Sequence, residues 1–377
     1  MTVIIFLIVL AVLIFVHELG HFIFARMNGI RVDSFKIGFG PRLIHWTKGE
    51  TEYGLNLIPF GGFVKIFGEN PDEENTFGPD KDRSFVHKNR WRQAAVLVAG
   101  VLFNFIFAWI LYVIVFACGM TAAPGDFQQY VSRFHDPRTI ITYVSDNSPA
   151  KKAGLNPGDT ITKISVPSTH AELSLNGTSS TTKLSATVIP DTVNASLGTP
   201  VIVSFMHGGQ ASTTTITPSG TLVPGRFVVG IQLADAVTLR LPILTAIYEA
   251  THYTWITMEQ TAVGLFIFIT SIFQGTAQWS QVSGPVGIAA DVGNVLSLGF
   301  MSLLMFTALI SVNLGIINLI PFPALDGGRI LFVAIEGIFR RRISAKFTNI
   351  VNTVGFILLM ILMVAVTYKD IAKLVQH

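Results

Sequence analysis

The chain has 377 residues, half of them hydrophobic and only 13% charged, against roughly 25% charged in soluble proteins. A net charge of +3, with no basic run longer than Arg340, Arg341 and Arg342, excludes a nucleic-acid-binding surface and a disordered chain. The single cysteine, Cys118, excludes an internal disulfide framework and a cysteine-rich zinc cluster. A polytopic α-helical membrane protein remains.

Residues 1–25 form the first spanning helix, apolar past His17, Glu18 and His21 as far as Ala25. It lacks a basic n-region and a small-residue cleavage site, so it reads as a retained helix, not a signal peptide. Residues 26–93 form a cytoplasmic segment with an apolar β-hairpin at 53–67, patterned as strands on either side of Pro59 and Gly61-Gly62. That hairpin is too short to span. Unpaired strand edges are expensive in lipid, so it is expected to be membrane-associated, lying against the helix bundle or lining a cavity. The second span is 94–118.

Residues 128–236 shift to Ser, Thr, Val and Gly, with short strand signals separated by turns, and read as an inserted β-rich domain. Ser148 is placed to cap a short helix that ends near Gly154, and Pro157-Gly158-Asp159 turns the chain into a strand at 160–164. The Ser/Thr-rich stretch 176–183 reads as a solvated loop. Residues 240–275, with Glu249, His252 and Glu259 upstream of a short apolar run at 261–273, read as an amphipathic, partly buried or interfacial helix, with a fifth span as the alternative. The third span, about 298–320 within a segment 298–326 that carries the Leu325-Asp-Gly motif, and the fourth, 350–367, complete about four transmembrane helices. Their apolar runs of about 18–25 residues match a hydrocarbon core of about 30 Å at 1.5 Å per residue.

Basic residues set the orientation. Residues 26–92 hold eleven and 329–346 hold five, whereas the long segment 119–296 holds only eight. The positive-inside rule makes the first two cytoplasmic and leaves the β-rich domain and both termini outside.

His17-Glu18-Leu19-Gly20-His21 is an H-E-x-x-H motif near the inner end of the first span. Positions i and i+4 share a helical face, so both imidazoles reach one metal ion, and Glu18 beside them suits a general base. Two neutral nitrogens suit one Zn²⁺ ion, with a third protein ligand leaving a position for water. Histidines and a glutamate are costly in a bilayer, which argues for a functional site. Asp326 is the only acidic residue between Asp291 and Glu336. It follows Pro321 and Pro323, which break the third span and turn the carboxylate back toward the bundle, making it the candidate third ligand.

With H-E-L-G-H on the first span and N-L-I-P-F-P-A-L-D-G on the third, the chain resembles the site-2 protease family of intramembrane zinc metalloproteases, in particular the bacterial regulator-of-sigma-E type. Further matching stretches are 35–41, 59–65, 284–289 and 311–321. The resemblance implies zinc on His17, His21 and Asp326, with Glu18 as base. It also implies that Asn318 and Asn313 contact the substrate backbone, while the hairpin around Gly61 and Gly62 receives the unwound substrate as an edge strand. The pattern Ser148-Pro-Ala…Ala153-Gly-Leu…Gly158-Asp resembles a PDZ domain, implying a peptide ligand bound by strand addition. There is room for one such domain, where well-known members carry two.

The expected function is intramembrane zinc endopeptidase in a bacterial inner membrane. Its substrates would be single-span proteins resembling anti-sigma factors, or remnant signal peptides, with no nucleic-acid partner. A catalytically silent PDZ-containing scaffold and a metal transporter are the alternatives. Intact Glu18 weighs against the first, and the absence of ionisable residues from the outer halves of spans one and three against the second.

Overall fold

The computed structural model describes residues 2–69, 75, 77–174, 182–183, 185–279 and 282–375. Its helices are α1 Thr2–Met27, α2 Arg90–Cys118, α3 Pro149–Lys152, α4 Ile189–Ala195, α5 Ile243–Phe273, α6 Pro285–Ser297, α7 Phe300–Leu319, α8 Asp326–Phe339 and α9 Ala345–Val375. The chain divides into two compact units. Among the described residues, α1, α2, α5, α7 and α9 are long and apolar enough to cross a membrane.

The first unit covers Met1–Val113, Tyr248–Gly293 and Met305–Gln376. The buried residues of α1 are Phe6, Val9, Leu13, His17, Gly20, His21 and Ala25, one stripe at steps of three and four that carries the histidines inward. At Gly20 a Cβ would lie 2.3 Å from the Ala99 carbonyl oxygen, so α1 and α2 touch backbone to backbone. Contacts of His21 with Val96 and of His17 with Asn104 make the two helices antiparallel.

Two long strands, β1 Val32–Lys48 and β2 Thr51–Ile66, form a sheet larger than the 53–67 hairpin expected from the sequence. The tight turn falls at Gly49-Glu50, and β2 runs on through Pro59 and Gly61, changing partners as it goes. Its first part pairs with 42–48 on one side and, through 52–55, with 34–37 on the other, while its last part, 62–66, pairs antiparallel with 32–37. Ala25, Ile30, Val32, Phe35, Val64, Ile66, Val96 and Leu97 bury the sheet against α1 and α2.

The helix of the third span ends at Leu319. After it α7 gives way to a turn through Pro321 and Pro323, and α8 begins at Asp326. The region after Arg329 is helix to Phe339, where charge alone had suggested a loop. Its charges are neutralised at long range, Arg329 by Glu69 and Glu336 by Arg90. The interfacial helix expected at 240–275 is one unbroken helix of 31 residues. Phe268 on α5 packs edge-on against Trp279, whose carbonyl oxygen accepts from Lys369 near the end of α9. Asp370 Oδ2 then accepts from the Gly284 and Gly287 amides at the start of α6.

The second unit covers Ile114–Ile247 and Asn294–Leu304. Its main sheet runs β3 Met120–Ala122, β12 Ile231–Leu239, β4 Phe134–Val144, β5 Thr160–Val166, β6 Ala171–Ser174 and β7 Thr182–Lys183, with β8 Val201–His207 and β9 Gln210–Ile216 attached through β5. A small hairpin joins β10 Ser219–Val223 to β11 Arg226–Val228. Ile141, Leu155, Ile161, Ile164, Ile189, Val201 and Ile216 fill the core. Ser148 caps α3 by accepting from the Lys151 amide at 3.2 Å, as its sequence predicts. Most of the expected loop at 176–183 lies outside the described residues.

The turn before Asp326 depends on two glycines. A Cβ at Gly327 would lie 2.2 Å from the Ile320 carbonyl oxygen, and one at Gly328 2.3 Å from that of Phe322. Gly327→Ala must therefore push α7 and α8 apart, at a cost of about 1–3 kcal/mol for overpacking. Thermal unfolding in detergent is expected to move to lower temperature, and an unchanged midpoint would show that the turn has slack.

Candidate metal centre

α1 and α8 bring three donor atoms to one point. His17 Nε2 and His21 Nε2 are 3.2 Å apart, and Asp326 Oδ2 lies 3.1 Å from the first and 3.3 Å from the second. Both histidines are buried. His21 Nδ1 is fixed by the Val96 carbonyl oxygen at 2.9 Å, which leaves its Nε2 lone pair facing the other two donors. Gly100 leaves room for both rings, since a Cβ there would lie 2.3 Å from His21 Nε2 and 2.9 Å from His17 Cε1.

This triangle fits a small divalent cation. Tetrahedral zinc with bonds of about 2.0–2.1 Å holds its ligand atoms about 3.3–3.4 Å apart, close to the three observed edges. Asp326 Oδ2 is buried without a hydrogen-bond partner of good geometry, although two ring nitrogens stand beside it. A buried carboxylate oxygen in that state is costly unless a cation satisfies it. Two imidazoles and one carboxylate form a donor set suited to zinc.

Glu18, next to the first histidine, points to the sheet instead of the triangle. Its Oε2 accepts from the Val64 main-chain N–H at 2.9 Å. Val64 belongs to 62–66, a strand segment whose partner lies on its β1 side, so Glu18 sits on the outer edge. Gly62 allows the approach: a Cβ there would lie 2.8 Å from Ile14 Cγ2 and 3.6 Å from Glu18 Cγ. Farther along the sheet, the Lys36 ammonium at 2.6 Å and then the His45 ring at 2.9 Å hold the Glu52 carboxyl down to about 2.

Of the eight residues singled out from sequence, the structure gathers His17, His21 and Asp326, with Glu18 and Gly62 adjoining. Gly61 takes a positive φ of 93°, just before the 62–66 segment of β2. Asn313 Oδ1 instead accepts from Thr261 at 2.9 Å, tying α7 to α5. Asn318 is half-buried on the last turn of α7, and its side chain makes no hydrogen bond among the described residues. Sequence reasoning missed Asn104, 3.0 Å from His17 Nδ1, and Gly100. A lone amide in the apolar run of α2 was the available signal for Asn104.

A buried His-His-Asp triangle on apolar helices, with a glutamate beside it, defines the metal-dependent hydrolase class. The profile of Peptidase family M50 matches residues 5–362, and the chain belongs to that family. A Clostridium perfringens protein named as a candidate zinc metalloprotease is 36% identical over 97% of both chains. A Clostridium acetobutylicum protein with the same description is 32% identical over 96% of this chain and 94% of its own. A third, from Staphylococcus aureus, is 30% identical over 99% of this chain and 98% of its own. The chain is a metalloprotease with zinc as its cofactor.

Gly100→Ala, which forces a methyl group onto the His21 ring, is expected to lower zinc content as His21→Ala does. Gly264→Ala on α5, with open space around it, serves as control and should leave it unchanged. Metal analysis of the purified chains by mass spectrometry checks this, and full zinc in Gly100→Ala would contradict the packing argument.

Proposed function

We propose that this protein is an intramembrane endopeptidase in which His17, His21 and Asp326 hold one zinc ion and Glu18 is the general base. The observation that carries the reading is the buried donor triangle with Glu18 at the open strand edge. When bound, zinc supplies Lewis acidity that brings the pKa of water toward about 7 and polarises the scissile carbonyl. Glu18 takes the proton from the attacking water and returns it to the departing amine. The edge at 62–66 offers main-chain partners to a substrate whose helix has unwound, replacing the hydrogen bonds that unwinding frees. Gly61 and Gly62 keep that edge free of side chains, and Asn318, near the turn to α8, is the residue on α7 assigned to the substrate backbone.

Substrates of this kind are single-span membrane proteins, anti-sigma-factor-like, or remnant signal peptides. Leu43, Ile44, Trp46 and Leu57, all more than half exposed, support a sheet that rests in the bilayer interface. The contacts of α5 support four crossings. Its distal part joins the chain near the end of α9, and Gly293 on α6 packs on Thr2 at the start of α1. These contacts favour α5 as an interfacial helix over a fifth crossing. The excess of basic residues supports residues 26–93 lying in the cytoplasm of a bacterial cell, with both termini and the β-rich domain outside.

That domain is read as a single PDZ-like module. Supporting this is a cleft of about 690 Å³ lined by Ile189, Val193, Leu222, Phe227, Ile231 and Leu233. β12 has a strand partner on its second edge only from Val237 onward, among the described residues, which leaves 231–236 open to an extended peptide.

The test uses purified wild type and Glu18→Gln with a tagged transmembrane substrate. Wild type should cleave and lose activity to a zinc chelator. The variant should keep its zinc while cleavage falls by at least about 100-fold, the lower range for general-base catalysis. Equal cleavage by both proteins would remove Glu18 from the mechanism.

A further inference from the structure

Asn104 is fully buried in the apolar middle of α2. Its main-chain carbonyl oxygen accepts from Ser311 Oγ on α7 at 2.8 Å, and Ser311 is itself fully buried. Its side chain meets His17 Nδ1 at 3.0 Å through Nδ2, while Oδ1 has no partner among the described residues. A half-turn of the amide exchanges the two atoms, and one of them is unpartnered either way. Hydrogen-bond counting therefore does not choose between the orientations.

The donor triangle chooses. A histidine that ligates through Nε2 must carry its proton on Nδ1, and that N–H needs an acceptor. For His21 the acceptor is a main-chain carbonyl, that of Val96. For His17 the group in reach at Nδ1, among the described residues, is the Asn104 side chain, and of its two amide atoms Oδ1 is the acceptor. Were Nδ2 to face the ring, Nδ1 would be the acceptor, and the proton would sit on Nε2, in the triangle.

We propose that Asn104 is a positioning residue that presents Oδ1 to His17 and holds that ring in its Nδ1–H tautomer, its Nε2 lone pair aimed at the metal. Ser311 secures the α2 backbone at the same level, so three helices share in orienting one ligand. The proposal rests on the reading of His17 as a zinc ligand. Of the two outer contacts to the histidines, it is the one that substitution can remove.

The test measures zinc affinity of the full-length chain in detergent by competition with a chromogenic chelator, for wild type, Asn104→Leu, Asn104→Asp and His17→Ala. Loss of an outer acceptor weakens metal binding by about 10–100-fold, and this is the expectation for Asn104→Leu. Asn104→Asp keeps an acceptor and should stay near or above wild-type affinity. If the leucine does not fit the helix contact, Asn104→Ala carries the same expectation. Wild-type affinity in the leucine or alanine variant would overturn the proposal. So would equal weakening in the aspartate variant, since that would trace the effect to packing and not to the acceptor. Wild-type affinity in His17→Ala would instead sink the ligand reading beneath it.

Discussion

The close approach of α1 to α2 is the contact on which the site depends. Gly20 rests on the Ala99 carbonyl, and Gly100 leaves a notch that the His17 and His21 rings occupy. Larger residues at either position would part the helices and carry the imidazoles away from each other. Dispersion and close packing bind helices in lipid, where no hydrophobic force distinguishes helix from solvent. Small residues therefore serve two ends here. They let the helices touch, and they make a polar chamber inside an apolar bundle.

The third donor arrives by a different device. α7 cannot both continue as a helix and return a carboxylate to His17, so the chain stops at Leu319 and turns through two prolines. Gly327 and Gly328 accept backbone contacts that no Cβ would tolerate, and Asp326 is left as the first residue of α8. Pro323 is held in turn by Gly355 on α9, where a Cβ would lie 2.5 Å away. The carboxylate is thus placed by backbone sterics on both sides of the turn. Its buried oxygen leaves a polar need that a divalent cation satisfies.

Much of the site was legible in the sequence because it is written in side-chain chemistry. Two histidines four apart on a helix, and a single aspartate after a proline break, admit few bland readings in an apolar chain. The apolar length of α1, α2 and α9 was equally plain. The 26–69 segment was less so, because β1 is interrupted by Gly38, Gly40 and Pro41 and its 34–37 stretch takes partners from two separate parts of β2, 52–55 and 62–66. α8 was hidden by charges whose partners, Glu69 and Arg90, are far away in sequence. Val64 acts through a main-chain N–H, which leaves no mark on residue type. Asn104 lies 87 positions from His17, so only the folded chain reveals what it touches.

The central claim is that two imidazoles and a carboxylate from separate elements share one zinc ion. X-ray absorption at the zinc edge of the purified protein tests it most directly. The account predicts nitrogen and oxygen neighbours at about 2.0–2.1 Å, with the outer-shell scattering of two imidazole rings per zinc. A sulfur neighbour at about 2.3 Å, or scattering from fewer than two rings, would contradict it.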